Sequence, residues 1–239
     1  RDFGTAESLS NLNQGLRPDD ERTVTNLLID QIEFSNVIIL NKTDVMKATE
    51  ITELTAILNR LNPEAKVLHA TRGCVPASAL LNTRRFDFEK AAQAPGWLAV
   101  MRGDEQPETE EYGISHFMFR STRPFHPERF QCFIQTDWPG LLRSKGWFWL
   151  ASRPALGGMW SQAGGTGEHR CAGYWQEEPR QELVFIGQNM LRTEMEQNLK
   201  DCLLTDSEMA LGPNEWTTVF ADPFPAWVES PQALEEREA

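Results

Sequence analysis

Cysteine is scarce in this sequence, and long apolar runs are missing from it. The four cysteines, Cys74, Cys132, Cys171 and Cys202, lie far apart, and no two of them form a C-x-x-C pair. This spacing argues against a disulfide framework and against a self-contained zinc knuckle. No apolar stretch approaches the roughly 18 residues that a membrane span needs. We therefore expect a soluble protein in a reducing compartment, the cytoplasm.

Basic residues are also few: the sequence contains 23 Lys and Arg and 35 Asp and Glu, which gives a formal net charge of -12. Such a charge repels phosphate backbones and anionic membranes at long range. We therefore expect neither nucleic acid nor a membrane as a partner. The opening RDFGTAESLS contains no initiator Met, no basic region and no apolar region, so we expect no signal peptide there and a chain that begins inside a domain.

The first part of the chain has the pattern of one βαβ crossover, and 239 residues allow a second domain after it. Apolar residues at helical spacing predict a helix from Asp20 to Phe34. The aliphatic run Val37–Leu40 is typical of a strand covered on both faces in a parallel sheet. A second helical pattern spans Thr49–Leu61, and Ala65–His69 predicts the next strand.

The second part predicts an α+β domain with a largely antiparallel sheet and two helices. Residues 94–113 mix Pro, Gly and acidic residues, which favours a solvated linker. In the following GISHFMFRS, Phe117 and Phe119 point to one side of a strand. One helix is predicted from Pro127, with Phe130, Phe133 and Ile134 on one stripe, and a second helix is predicted from Leu191. Further strands are predicted to begin at Gly146, Gly157 and Glu182 and near residue 171. We interpret the end, ALEEREA, as a frayed tail.

The tetrapeptide N-K-T-D directly follows the first predicted strand, at positions 41–44. Ligands of open α/β sheets bind at the carboxyl ends of strands, which is where this loop is expected. A carboxylate at Asp44 can accept both the N1–H and the N2–H₂ of guanine. Asn41 can donate to the base or join neighbouring loops, and the stem of Lys42 can lie over the purine ring. The alternative is an ordinary polar loop in which Asp44 caps the following turn.

Longer segments carry a resemblance to a known family. The order LLIDQIEFSNVIILNKTDV, RGCVP, GISHFMFRSTRPFHPERF, LLRSKGWFWLA and ELVFIGQ resembles the CobW-type metallochaperone GTPases, from about residue 1 to residue 205. This family is linked to cobalt, nickel and especially zinc delivery. The resemblance implies that Asn41, Lys42 and Asp44 bind the guanine nucleotide. It also places the stretch His69–Gly73 where a second loop approaches the base.

The resemblance implies a fold and a function for the whole chain. Residues 1–93 would be the back part of an α/β P-loop GTPase domain with a remnant of its parallel sheet, 94–113 the linker, 114–205 the CobW-type C-terminal domain and 206–239 a tail. The protein would be part of a GTP-dependent metal chaperone, with zinc as the expected metal, GTP, Mg²⁺ and Zn²⁺ as cofactors and a metal-receiving client as partner. The C-terminal domain would respond to nucleotide or dock that client.

The family's phosphate loop, G-x-x-G-x-G-K-[ST], does not occur in this sequence, and neither does its C-x-C-C metal motif. We expect both, with a magnesium-binding acidic strand, to precede Arg1. A phosphate loop supplies most of the transition-state stabilisation in GTP hydrolysis. We therefore expect hydrolysis of GTP to GDP and phosphate in the intact parent and none by this chain.

Three residues are weak candidates for metal ligands. His126, between Pro124 and Pro127, could ligate a metal or hydrogen-bond a buried carbonyl, and we expect the structural role. His169 and Cys171 could face the same side of a strand and form half of a soft-metal site. A closed site needs more ligands than these two, so we expect at most weak zinc binding.

Two other functions compete with the chaperone interpretation. The segment LLRSKGWFWLASR combines Arg143, Lys145 and Arg153 with Trp147, Phe148 and Trp149, which suggests a stacking platform for single-stranded nucleic acid. An alternating aromatic strand is more often a core strand, and the net charge has the wrong sign. The second alternative is a non-catalytic protein-interaction module, in which the α/β segment is only a remnant.

Overall fold

The computed structural model describes residues 24–85, 87, 96–103 and 113–227. The chain divides into two compact units, one of residues up to His116 with Ile186–Gln188 and the other of the remaining residues. Within the described ranges, no helix is long and apolar enough to cross a membrane.

The first unit contains the predicted crossover. Helix α1 (Val24–Phe34) leads into strand β1 (Val37–Leu40), helix α2 (Ala48–Leu61) follows, and strand β2 (Lys66–His69) closes the motif. The two strands pair in parallel, with Val37 opposite Lys66 and Leu40 opposite His69. Strand, helix and strand are confirmed to within one residue at each boundary, but the expected cover on both faces of β1 is wrong, because Ile39 is 40% exposed. Residues 1–23, which include the predicted start of α1 at Asp20, lie outside the described residues.

A buried amide joins the end of α1 to the turn after α2. Asn62 is fully buried, and its Nδ2 donates to the carbonyl oxygens of Ile32, Glu33 and Ser35 at 2.9, 3.0 and 2.8 Å. Its Oδ1 accepts from the N–H of Ala65 at 3.1 Å. Since an unpaired buried amide would be costly, this set of partners fixes the point where the chain enters β2.

Part of the predicted linker is helical. Residues Gly96–Arg102 form α3, and Trp97 within it is 7% exposed. The solvated-linker prediction is wrong for this stretch, because Leu98, Ala99 and Met101 favour a helix and Trp97 gains by burial. Gly103 follows with a φ of 80°, the left-handed conformation that commonly ends a helix. Residues 104–112 lie outside the described residues.

The second part of the chain forms a five-stranded sheet in the order β3-β7-β4-β5-β6. Pairing between β4 and β5 and between β5 and β6 is antiparallel. Two helices of the predicted α+β fold, α4 (Pro127–Gln135) and α5 (Arg192–Cys202), follow β3 and β7. The strands are β3 (Ile114–Ser121), β4 (Leu141–Trp149), β5 (Leu156–Ala163), β6 (Thr166–Tyr174) and β7 (Gln181–Gln188).

Aromatic side chains dominate the core between this sheet and its helices. Phe117 and Phe119 of β3 are buried, as the alternation in the sequence predicts. Phe130 of α4 is fully buried and stacks on Phe125, with ring centroids 4.4 Å apart. The core members from helix α5 are Met195, Leu199 and Cys202. Aromatic pairs of this kind add to the stabilisation from area burial.

The predicted tail is wrong for residues 206–227, because they are folded. Two short helices, α6 (Asp206–Met209) and α7 (Pro213–Val219), follow α5. Glu208 accepts from the N–H of Thr205 at 2.7 Å, one half of a capping box that starts α6. Trp216 and Phe224 are 3% and 5% exposed, so their burial holds the segment in place. ALEEREA, residues 233–239, lies outside the described residues.

Candidate functional site

The loops after β1 and β2 lie at the same edge of the parallel sheet. Leu40 and His69, the last residues of the two strands, are paired, and the N–H of Ala70 donates to the Leu40 carbonyl at 2.9 Å. The N-K-T-D loop therefore leaves the sheet beside the loop that begins at Ala70. A hydrogen bond to helix α2 holds the His69 side chain, because its Nε2 lies 2.9 Å from Thr55 Oγ1.

Asn41 connects the two loops through its side chain. Its Oδ1 accepts from the backbone N–H of Gly73 at 2.9 Å. That N–H belongs to a tight turn in which the N–H of Cys74 donates to the Thr71 carbonyl at 3.0 Å. Arg72 and Gly73 have φ values of 51° and 72°, as in a type I′ turn. The turn conformation directs the Gly73 N–H towards Asn41.

Thr43 makes a second connection between the loops. Its N–H and its hydroxyl both donate to the carbonyl oxygen of Ala70, at 3.2 and 3.0 Å. Its Oγ1 also lies 3.4 Å from Thr71 Oγ1. Sequence reasoning assigned no role to Thr43 or to the Gly73 N–H, although both lie within the segments it singled out. Gly73 itself was the available signal, because glycine readily adopts positive φ.

The backbone at Lys42 is strained. Lys42 has φ 60° and ψ 29°, the left-handed region, and precedes a 3₁₀ turn over Thr43–Val45. A non-glycine residue in this region costs of order 1 kcal/mol or more and persists where surrounding contacts fix it. Here the Thr43 and Asn41 bonds supply those contacts. The strain is a reason to regard this loop as functional.

Asp44 lies in the 3₁₀ turn with its side chain exposed. Its carboxylate makes no hydrogen bond or ion pair with any residue that the structure describes. The following helix is capped by another residue, because Glu50 Oε2 accepts from the Lys47 N–H at 2.8 Å. Asp44 therefore does not cap that helix, and the interpretation as an ordinary polar loop stays an alternative. Lys42 and Asn41 are exposed as well, so the loop presents its three candidate residues to solvent.

The three metal candidates lie in the second unit. His126 precedes α4, and its ring contacts Phe220 at a centroid distance of 4.7 Å. Its Nδ1 is buried and bonds to no described group, so the expected hydrogen bond to a buried carbonyl is not made through that nitrogen. Burial lowers the pKa of His126, and the charge of Arg129 lowers it further.

His169 and Cys171 lie on β6. The rings of His169 and Phe224 pack in a T-shaped arrangement with centroids 5.0 Å apart, and the pKa of His169 is lowered by burial and then by Arg153. The Cys171 Sγ accepts from the N–H of Gly173 at 3.4 Å, where the pairing with β5 is irregular. Within the described ranges, no three His, Cys, Asp or Glu side chains form a group that could hold a metal ion.

The aromatic segment proposed as a nucleic-acid platform lies largely in the interior. Phe148 is fully buried, and Trp149 is 8% exposed. Arg143 is buried, and its Nη1 donates to Ser161 Oγ and to the Gln162 carbonyl at 3.1 and 3.2 Å. These three side chains therefore offer no surface on which bases could stack.

Two family models match the chain. The model of the cobalamin synthesis protein CobW C-terminal domain matches residues 114–203. The model of the CobW/HypB/UreG nucleotide-binding domain matches residues 8–69, a range that contains the N-K-T-D loop. The chain belongs to the CobW family. The prediction made from the sequence motifs is thereby confirmed at the level of the family.

Curated relatives are similar over nearly the whole chain. A zinc-regulated GTPase metalloprotein activator of Dictyostelium discoideum is 39% identical over 265 residues, covering 99% of this chain and 54% of the relative. A zinc chaperone of Mycobacterium tuberculosis is 24% identical, covering 89% of this chain and 57% of the relative. The chain thus spans a little over half the length of these curated relatives.

Among solved structures, the Zn(II)-bound YjiA GTPase of E. coli is similar at 22% identity. The match covers 74% of this chain and 54% of that one, with a TM-score of 0.40. A TM-score this low supports no conclusion about the arrangement of this chain.

Proposed function

We propose that the N-K-T-D loop and the turn at residues 71–74 together form a guanine-binding site. The observation that carries the proposal is the Asn41 Oδ1 to Gly73 N–H bond, which joins the two loops at the carboxyl edge of β1 and β2. Thr43 reinforces it through Ala70. Loops fixed in this way are organised before a ligand arrives, which reduces the ordering cost of binding.

Each residue of the loop has a distinct role in this proposal. The exposed carboxylate of Asp44 accepts the N1–H and N2–H₂ of guanine in a bidentate, charge-assisted pair. The Lys42 stem lies over one face of the purine. The Asn41 amide Nδ2 remains able to donate to the base, because its Oδ1 is the atom engaged by Gly73. Adenine, which lacks this pair of donors, is discriminated against.

The described residues fit the base and do not fit the rest of a nucleotide. The sequence contains no phosphate-loop pattern to cradle phosphates. No described group of carboxylates and other ligands could hold Mg²⁺ or Zn²⁺. We therefore assign only base recognition to this chain.

We propose further that the chain contributes to a GTP-dependent metal chaperone, with zinc as the metal and a metal-receiving protein as the client. The similarity to a zinc-regulated activator and to a zinc chaperone supports this. Hydrolysis of GTP would be an activity of the whole protein, with Mg²⁺ at the phosphates. In this proposal the α+β domain responds to nucleotide state or docks the client, and the cytoplasm is the site of action.

The site can be tested on this chain by comparing its binding of a guanine nucleotide with its binding of an adenine nucleotide. Saturation-transfer NMR with GMP and AMP compares two ligands that share one phosphate and differ in the base. We expect the guanine nucleotide to bind weakly, with a dissociation constant on the order of millimolar, because only the base is recognised. We expect no saturable signal from AMP. Equal signals from the two nucleotides would contradict the proposal.

A further inference from the structure

Residues 221–227, the strap, follow α7 in the second unit and form neither helix nor strand. Their sequence is Ala-Asp-Pro-Phe-Pro-Ala-Trp. Phe224 is 5% exposed and Trp227 is half-buried, whereas both prolines and both alanines of the strap are exposed. A segment that inserts two aromatic side chains and leaves the residues around them in solvent has the form of a bound peptide.

Arg153 holds the strap through its side chain. Its Nε donates to Asp222 Oδ2 at 2.7 Å, and its Nη2 donates to the carbonyl oxygens of Phe224 and Pro225 at 2.8 and 3.0 Å. Its guanidinium also lies 4.2 Å from the centre of the Trp227 ring. No backbone–backbone hydrogen bond joins the strap to another part of the described chain. The strap can therefore leave without breaking a hydrogen bond of the sheet or of a helix.

Three rings from different elements form the surface on which the strap lies. The centroid of the Phe224 ring lies 5.0 Å from that of His169 on β6 and 6.2 Å from those of Phe130 on α4 and Phe148 on β4. Trp227 packs on Phe148 in a T-shaped arrangement with centroids 5.8 Å apart. Together with Arg153, these three rings form a groove that combines aromatic surface with one cation.

We propose that this groove is a docking site for an extended segment of a partner protein, and that the strap is its intramolecular occupant. The partner segment has the chemistry of the strap: an acidic residue, a first aromatic residue two positions later, and a second aromatic residue three positions after the first. Proline on both sides of the first aromatic residue keeps the segment extended at a low cost in entropy. Aromatic-lined grooves bind proline-rich segments in this way.

The apolar surface under the strap favours exchange over permanent exposure. Phe130 and Phe148 are fully buried while the strap is in place. Their rings would become part of an exposed apolar patch without it, and such patches mark protein-interaction sites. Because the strap is tethered, its effective concentration at the groove is on the order of millimolar. A free segment of the same chemistry therefore binds the wild type weakly and binds well once the strap's own aromatic side chains are removed.

A peptide in solution tests the groove on the full chain. The probe is fluorescein-labelled Ala-Asp-Pro-Phe-Pro-Ala-Trp-amide, and fluorescence anisotropy measures its binding to the wild type and to Phe224→Ala/Trp227→Ala. We expect the double variant to bind the peptide at least about tenfold more tightly than the wild type does, with a dissociation constant below about 1 mM. Equal affinities, or no saturation with the folded double variant, would overturn the proposal.

A milder variant keeps the test valid if the double variant does not fold. Trp227→Ala removes only the half-buried side chain of the strap and leaves Phe224 in place, so it should fold, which thermal unfolding checks. It should bind the peptide at least about threefold more tightly than the wild type does, because the tethered strap competes less well. No gain in affinity by folded Trp227→Ala would contradict the proposal as well.

Two controls assign the binding to the groove. A peptide in which alanine replaces both aromatic residues should not bind. Arg153→Met, added to Trp227→Ala, removes the donors to the acidic residue and to the carbonyl oxygens and should weaken peptide binding at least about tenfold. Arg180→Met is the matched control, since Arg180 pairs with Glu177 and Glu182 instead of with the strap. Undiminished binding by the Arg153 variant would place the peptide elsewhere and refute the groove.

Sedimentation at rising concentration of the wild type separates a partner protein from a second copy of this chain. We expect a monomer throughout, because each groove is occupied by its own strap. A dimer that dissociates on addition of the peptide would assign the groove to the strap of a second copy and would overturn the partner assignment. These outcomes leave the guanine proposal untouched, because the groove and the strap contain none of its residues.

Discussion

The side-chain oxygen of Asn41 lies 2.9 Å from the backbone nitrogen of Gly73, a residue 32 positions later in the chain. Neither residue is in a strand, yet the bond joins the two loops that leave a parallel strand pair. An amide side chain thus holds the second loop while its own nitrogen remains available to a ligand.

Loss of this bond should loosen the second loop. In Asn41→Ala, hydrogen exchange at the Gly73 amide should become faster by about fivefold, because a bond of roughly 1 kcal/mol is lost. Asn41→Asp is the matched variant, since it retains an acceptor for the same N–H. Hydrogen exchange at the Gly73 amide, measured by NMR, should remain slow in Asn41→Asp. Similar exchange rates in the wild type and in Asn41→Ala would show that the bond does not form in solution.

Gly158 of β5 is required by close packing. A Cβ at Gly158 would lie 2.3 Å from the ring of Phe148, which is fully buried. We expect Gly158→Ala to lower the free energy of unfolding by about 1–3 kcal/mol through overpacking. Gly165→Ala, where a Cβ meets no atom within 4 Å, should change it by less than about 0.5 kcal/mol. Urea denaturation compares the two, and equal losses would contradict the packing described.

Arg153 holds the segment that follows α7. Its Nε donates to Asp222 at 2.7 Å, its Nη2 donates to the Phe224 carbonyl at 2.8 Å, and its guanidinium lies 4.2 Å from the centre of the Trp227 ring. Its side chain is 13% exposed.

Arg153→Ala should therefore destabilise the fold by about 2 kcal/mol, because several partly buried partners lose their contacts. The control is Arg180→Ala, whose side chain is 40% exposed and pairs with Glu177 at 2.7 Å and with Glu182 at 3.4 Å; it should cost less than about 1 kcal/mol. Thermal unfolding at matched concentration measures both, and an Arg153 variant as stable as the control would refute the role of the segment in stability.

Acid should weaken the fold through His169. Its folded-state pKa is below the ordinary 6.5 because of burial and the charge of Arg153, with Asp222 opposing. The folded state therefore favours neutral His169, and this contribution is complete above pH 6.5. It is lost as the pH falls from 6.5 towards the lowered pKa, because the unfolded chain binds the proton first. Urea midpoints between pH 7.5 and 5.5 should fall less in His169→Asn than in the wild type, and parallel curves would contradict this.

The sequence predicted those elements whose signal is local. Alternation placed Phe117 and Phe119 on the buried face of β3, and the aliphatic run Val37–Leu40 indicated a strand that is indeed paired in parallel. The helix at Gly96–Arg102 was missed because nearby Pro, Gly and acidic residues outweighed a short helical pattern.

Long-range contacts could not be predicted in the same way. The folding of residues 206–227 depends on Trp216 and Phe224, whose burial is set by packing partners that are distant in sequence. At the loop, residue types indicated guanine chemistry, but the Asn41 bond to Gly73 requires the register of β1 and β2. Within the described residues, His126, His169 and Cys171 belong to no metal-binding group. Whether side chains form such a group depends on their positions in the folded chain, which residue types alone do not give.

A change of base selectivity on substitution of Asp44 is the most direct test of the claim that the N-K-T-D loop recognises guanine. In the whole protein, Asp44→Asn replaces a carboxylate that accepts two N–H groups with an amide that also donates. Guanine then loses a charge-assisted bond, at a cost of about 2–4 kcal/mol, and GTP binding should weaken by roughly 30- to 1,000-fold. Xanthine has an oxygen where guanine has its amino group, so XTP should bind more tightly to the variant than to the wild type.

The measurement is a titration of GTP and XTP against the wild type, Asp44→Asn and Glu64→Gln. Glu64 is exposed and precedes β2, at the opposite edge of the strand pair, so its variant should bind both nucleotides as the wild type does. We expect that only Asp44→Asn changes its preference from GTP to XTP. Unchanged GTP affinity in that variant would mean that the N-K-T-D segment is an ordinary polar loop and that this chain does not recognise guanine through it.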